Sequence, residues 1–166
     1  MGRPRTWFAA CAVLYAAVWA WSWTRLPERV PTHFGGGGQP DDWSSRAAAL
    51  WFSGLLGLGM VLLFAGLVQL VRRAPAAMVD APRPEYWKRP ENLGRLRKIA
   101  VADLWLLGAW TLLLLTAVDW LVVRAATAED PALGPWPLLL VGGYLVGVLG
   151  RVVWMVTRRY PVPENG

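Results

Sequence analysis

His33 is the only histidine in the 166 residues, and it stands in Pro31-Thr32-His33-Phe34, with Glu28 before it and Asp41-Asp42 after it. An imidazole with an ordinary pKa near 6.5 beside carboxylates can switch with pH, hydrogen-bond a ligand or hold a metal. Metal binding would require Asp41, Asp42 or Glu28 to converge on the ring, and one imidazole among oxygen donors is an unspecific set. We therefore read Pro31, Thr32, His33, Phe34, Asp41 and Trp43 as a binding surface without metal. A second group, Asp103, Asp119 and Arg151, lies inside apolar runs, where a charge is costly and either finds a partner or marks a pathway. The 16 residues between Asp103 and Asp119 span roughly 24 Å of helix. That places them near opposite membrane faces and argues against a mid-depth proton relay. Asp103 is expected to meet Arg151; the plain alternative is two interfacial carboxylates touching headgroup water. A third group, Tyr86, Trp87, Lys88 and Glu91, sits in a basic segment where a regulator could dock. No nucleophile stands beside a base, so no catalytic residue and no cofactor is expected. The Gly35–Gly38 run is not a phosphate-binding loop, because no Gly-Lys-Ser/Thr follows it.

The elements that must hold these residues follow from composition. The chain is 55% hydrophobic and 17% charged, with 12 tryptophans, against roughly a quarter charged in an ordinary soluble domain. Its apolar residues fall in four blocks, at about 7–24, 47–71, 99–123 and 137–156. Crossing about 30 Å of hydrocarbon takes roughly 20 residues of helix, so the expected fold is an all-α bundle of four transmembrane helices forming one domain over 1–166. Tryptophans near the block ends, such as Trp21, Trp23, Trp120 and Trp136, suit the headgroup boundary. Cys11 is the single cysteine, so no disulfide forms within the chain.

Orientation follows from the 17 Lys and Arg. Thirteen flank one side: Arg3, Arg5, Arg72, Arg73, Arg83, Lys88, Arg89, Arg95, Arg97, Lys98, Arg151, Arg158 and Arg159; only Arg25, Arg29, Arg46 and Arg124 flank the other. Positive flanks stay in the cytoplasm, so both termini and the loop 72–98 are expected inside and the loop 25–46 outside. The first block is expected to be retained as a span. Val18-Trp19-Ala20 satisfies a signal cleavage pattern only loosely, and too few apolar residues precede Cys11 for a lipoprotein signal. Met1-Gly2 with Thr6 matches a myristoylation pattern by coincidence. The net charge of +6 sits on the membrane flanks, with no helix-turn-helix or stacking platform, so nucleic acid is not an expected partner.

The outer loop combines rigid and permissive residues. Pro27 and Pro31 forbid helix, four glycines allow positive φ, and Ser44-Ser45 offers a cap for the helix after it. Ser53 with Gly57, and Gly143 with Gly147, have the four-residue spacing that lets helices approach closely, within one chain or between two copies. In the inner loop, Pro90, Glu91 and then Leu93, Leu96 and Ile99 suggest a short amphipathic turn leading into the third span, its Arg95, Arg97 and Lys98 among anionic lipids.

The run from Leu26 to Arg46, Leu-Pro-x-x-Val-Pro-Thr-His-Phe, then glycine and Pro-Asp-x-Trp-x-Ser-Arg, resembles a small domain of unknown function of the DUF1648 type. That domain is found at the N-terminus of bacterial bacteriocin-immunity proteins of the sporulation-delaying-protein immunity kind. Tyr86-Trp87 with Pro90-Glu91, and Val118-Asp119-Trp120-Leu121-Val122, are similar to further segments of stand-alone members. In the last of these, Asp119 replaces the expected His. The resemblance implies an integral protein of the bacterial plasma membrane with no established enzymatic activity, an immunity or sensing module. On this reading the outer loop meets an envelope peptide or toxin, and the inner loop reports to a cytoplasmic regulator. A small transporter, or an accessory subunit of one, is the alternative, favoured if a cavity between spans exposes Asp103 or Asp119. A membrane enzyme acting on lipid or envelope precursors is the weakest rival, and the chain could also assemble with copies of itself.

Overall fold

The computed structural model describes residues 2–79 and 81–160; the two chain ends, and with them the expected placement of both termini, lie outside the described residues. The fold is mostly helical: α1 (Gly2–Ser22), strands β1 (Arg29–Phe34) and β2 (Pro40–Ser45), α2 (Arg46–Arg73), the short α3 (Pro84–Trp87), α4 (Pro90–Thr127) and α5 (Trp136–Trp154). Three helical stretches are long and apolar enough to cross a membrane: Arg46–Arg73, Pro90–Thr127 and Trp136–Arg159. The last continues α5 through a π-helical turn, Met155–Arg159.

The outer loop corrects the all-α expectation. Where a structured Pro/Gly turn between helices is expected, β1 and β2 form an antiparallel hairpin. Burial along β1 does not alternate: Val30 and Pro31 are buried while Thr32 and His33 are exposed, because the register is bulged around His33. Both prolines are tolerated because a two-stranded ribbon consists only of edges. Ser45 caps α2, its side chain accepting from the Ala48 N–H.

The inner segment differs in a second way. The amphipathic turn expected before the third span is continuous with it, and α4 is a single helix of 38 residues, about 57 Å long. Pro90 is allowed in its first turn, where its missing N–H has no helical partner in any case. The helix is longer than a hydrocarbon core by roughly 27 Å, and Arg95, Arg97 and Lys98 stand in its first turns on the same rigid rod.

Helix α1 runs beside α4. Phe8 and Cys11 pack on Ala109 and Leu112 near the middle, and Leu26, just past α1, packs on Val123. Gly108 makes the first contact possible, since a Cβ there would come within 2.8 Å of both Phe8 and Phe64. Gly57 does the same against Tyr15: a Cβ at that position would collide with its ring. Of the two small-residue pairs, Ser53/Gly57 thus packs α2 on α1. Gly143 and Gly147 border an open groove beside Trp110 and Tyr144, where Thr111 and Tyr144 share a 3.0 Å hydrogen bond.

Candidate functional site

One end of the molecule carries the hairpin. Its register, Pro31 opposite Trp43, His33 opposite Asp42 and Phe34 opposite Pro40, contains irregularities on both sides of His33. A bulge leaves a residue unpaired and re-aims side chains. Here it brings Asp41 Oδ1 to 2.5 Å from His33 Nδ1, with both side chains more than half exposed. Asp42 turns back to accept from the Trp43 N–H. In the turn, Gly35 N–H donates to Gln39 O, and Gly38 N–H donates to Gly35 O with Gly38 at φ +76°. Gly38 O in turn accepts from the Leu133 N–H, and a Cβ on Gly38 would lie 3.1 Å from Gly134 N. The hairpin tip is therefore tied to the loop between α4 and α5.

The sequence-derived binding surface divides on this scaffold. His33, Asp41 and Thr32 are exposed, and Trp43 is 39% exposed. Phe34 is half-buried. Pro31 is fully buried and serves as wall rather than contact surface. Val30 beside it is also fully buried, packed on Leu50 and Val123.

Beneath the hairpin lies a cavity of about 210 Å³ bounded by Ser22, Pro31 and Thr32, by Ala49, Phe52 and Ser53 of α2, and by Asp119 of α4, with further aliphatic side chains. Asp119 Oδ2 is buried and has no hydrogen-bond partner. Both serine hydroxyls nearby are already committed as donors: Ser22 to Trp19 O at 2.6 Å and Ser53 to Leu50 O at 3.4 Å. Tyr15 donates to Ser53 O at 2.6 Å and Trp19 Nε1 to Leu50 O at 2.9 Å, fastening α1 to α2 below the cavity.

The opposite end holds the other carboxylate in different surroundings. Asp103 is 2% exposed and accepts from Arg151 Nη2 through Oδ1, with Arg159 Nη2 3.4 Å from the same oxygen. The expected partnership of Asp103 and Arg151 is thus present in the fold, and Arg159 joins it. Both guanidinium groups also face the Trp154 ring, at 4.5 and 5.3 Å from its centroid. Tyr160, just past the π turn, is pushed above the ordinary phenol pKa by burial and then by the Asp103 carboxylate, so it is held in its neutral form.

The inner docking group separates in the same way. Trp87 is fully buried, stacked edge-on between Tyr86 and Tyr160 and covered by Arg95. It is a core residue of this end and not a docking contact, because α3 folds back onto Leu96 and Ala74. Lys88 Nζ donates to Ala77 O at 3.2 Å and Arg97 Nη2 to Ala74 O at 2.5 Å. Tyr86 is half-buried, with its carbonyl accepting from Asn92, and Glu91 alone of the four is fully open to solvent.

Arg159, Tyr15 and the Gly38–Gly134 contact escaped the sequence reading. For Tyr15 a signal existed: Phe8, Cys11, Tyr15 and Ser22 are the buried residues of α1 and recur at helical spacing. For Arg159 none did, since only the π turn brings it round to Asp103. Among the described residues, no three His, Cys, Asp or Glu side chains are grouped as metal ligands would be.

Residues 10–58 match the family described as a domain of unknown function (DUF1648). The match takes in most of α1, the whole hairpin and the first half of α2. No curated protein and no solved structure matches the chain.

Proposed function

We propose that this chain is a non-enzymatic membrane module of the immunity or sensor type, with four spans in the bacterial plasma membrane. Its termini and basic segment 72–98 face the cytoplasm, and its hairpin faces out. The lengthwise packing of α1 along α4 supports counting α1 as the fourth span, and the thirteen-to-four division of Lys and Arg supports the orientation. The observation that carries the binding role is the exposed His33–Asp41 pair held by a bulged hairpin directly above a cavity. An exposed pair of this kind adds little to stability, and a rigid, tied-down display of it suits recognition of an envelope peptide. A shift between helix arrangements would follow only if the ligand bound one arrangement better than the other.

The test is protection. Cells expressing the chain are challenged with a membrane-active peptide of the sporulation-delaying kind, and the double variant His33→Ala/Phe34→Ala should lower the tolerated dose at least tenfold. Equal protection by a variant that inserts normally would remove the hairpin from the mechanism, and failure of the wild-type chain to protect would sink the immunity reading. A second reading, a small transporter or a subunit of one, is favoured by one observation. Cavities of about 210 and 320 Å³ reach Asp119 and Asp103 at opposite ends of α4.

A further inference from the structure

We propose that the cavity beneath the hairpin is a binding site for a protonated aliphatic amine, with Asp119 as its counter-ion. This rests on the binding role proposed for the hairpin face and names what that face takes.

The chemistry of the lining selects the ligand. A buried carboxylate oxygen without a partner is costly and calls for a donor, and no Lys or Arg is among the described residues lining the cavity. Ser22 and Ser53 have spent their hydroxyl protons on backbone carbonyls, so what they present is oxygen lone pairs. An ammonium group offers three donors and no acceptor, the complement of this set; an anion would meet the carboxylate and almost no free donor.

The remaining wall is apolar: Leu26, Phe52, Leu56, Val118 and Val122. A metal cation would ask for six or so oxygen ligands and would gain nothing from those side chains, whereas an alkyl chain buries against them. Size narrows the class further. Pockets for drug-sized ligands run to roughly 300–1,000 Å³, so about 210 Å³ admits one side chain or one small amine, not a folded peptide. Thr32 lies at the edge of the cavity on the outward side, one residue from His33, so an amine entering there passes the exposed pair. Two sources share this chemistry: a free alkylamine and the lysine side chain of a peptide.

Calorimetric titration of the full chain in detergent at neutral pH tests the site with n-butylammonium, 1-butanol and sodium ion as probes. Butylammonium should bind saturably and at least tenfold more tightly than butanol, with sodium giving no saturable heat. Asp119→Asn should weaken butylammonium at least tenfold and leave butanol unchanged. If that variant does not fold, Ala49→Leu provides a second route. It narrows the cavity from the opposite wall with the carboxylate intact, and should block butylammonium while sparing methylammonium. Equal binding of amine and alcohol, sodium binding as tight as butylammonium, or undiminished amine binding in both variants would overturn the proposal. Competition by Nα-acetyl-lysine N-methylamide assigns the site to a peptide side chain, and its failure to compete assigns it to a free amine. A chain that protects cells but takes no amine keeps the peptide role and loses this site; one that takes amine and protects no cell does the reverse.

Discussion

Two carboxylates on one helix, Asp103 and Asp119, have opposite surroundings. At the basic end Asp103 is buried with two guanidinium groups on one of its oxygens, and those groups are themselves stacked on Trp154. At the hairpin end Asp119 borders a cavity and keeps a buried oxygen without a partner. The first arrangement fastens α5 to α4 and neutralises its carboxylate, although Asp103 Oδ2 also lacks a hydrogen-bond partner. The second has no cation in its lining, and an unsatisfied oxygen beside a cavity is where a ligand has something to add. The same division runs through the aromatic residues: Trp87 is fully buried at the basic end, while Trp43 stays 39% exposed on the hairpin.

The contrast is most easily broken at Asp103. Asp103→Asn leaves two half-buried arginines without their counter-charge, and breaking a pair with a buried member costs about 3 kcal/mol. Unfolding in detergent should show that loss. Arg151→Gln should show a comparable one, with the double variant clearly less than additive because the two residues share one interaction. Full additivity would mean that the pair contributes nothing as a pair.

Gly38→Ala tests whether the hairpin is held as firmly as the basic end. It forces a side chain into left-handed backbone, which costs about 1–2 kcal/mol, against Gly134 N only 3.1 Å away. Hydrogen exchange at residues 29–45 should rise while that of α4 stays as it was. Unchanged protection would show that the link between the two outer loops does not order the hairpin. The smallest effect is expected at Asp119, with the opposite sign to that at Asp103. Asp119→Asn removes a charge that has no cation in the cavity lining and should leave stability unchanged or raise it by about 1 kcal/mol. A loss as large as that of Asp103→Asn would make Asp119 structural and erase the distinction.

Much of this was legible before folding. The apolar blocks at 47–71 and 137–156 fall within two or three residues of α2 and α5, because roughly 20 apolar residues in a row have few other uses. The spacing of Asp103 and Arg151 from their span ends was enough to expect them at one level. The hairpin was legible only as a structured turn, since Pro27 and Pro31 forbid helix without specifying a strand, and prolines fit a sheet that has nothing but edges. Trp87 looked like a docking residue for a related reason: an aromatic amid charges reads as surface, and only the fold-back of α3 onto α4 buries it.

Composition on its own gives stretches long and apolar enough to cross a membrane, and charge placement carries the proposed orientation, because the cost of moving charge into hydrocarbon depends on residue type and run length alone. Which of two chemically identical carboxylates meets a cation is decided in three dimensions. It depends on a π turn that swings Arg159 to Asp103, and on a bulged hairpin that roofs Asp119 without offering it a donor. Hydrogen bonds and ion pairs act over a few ångströms between residues dozens of positions apart, and no one-dimensional pattern records that distance.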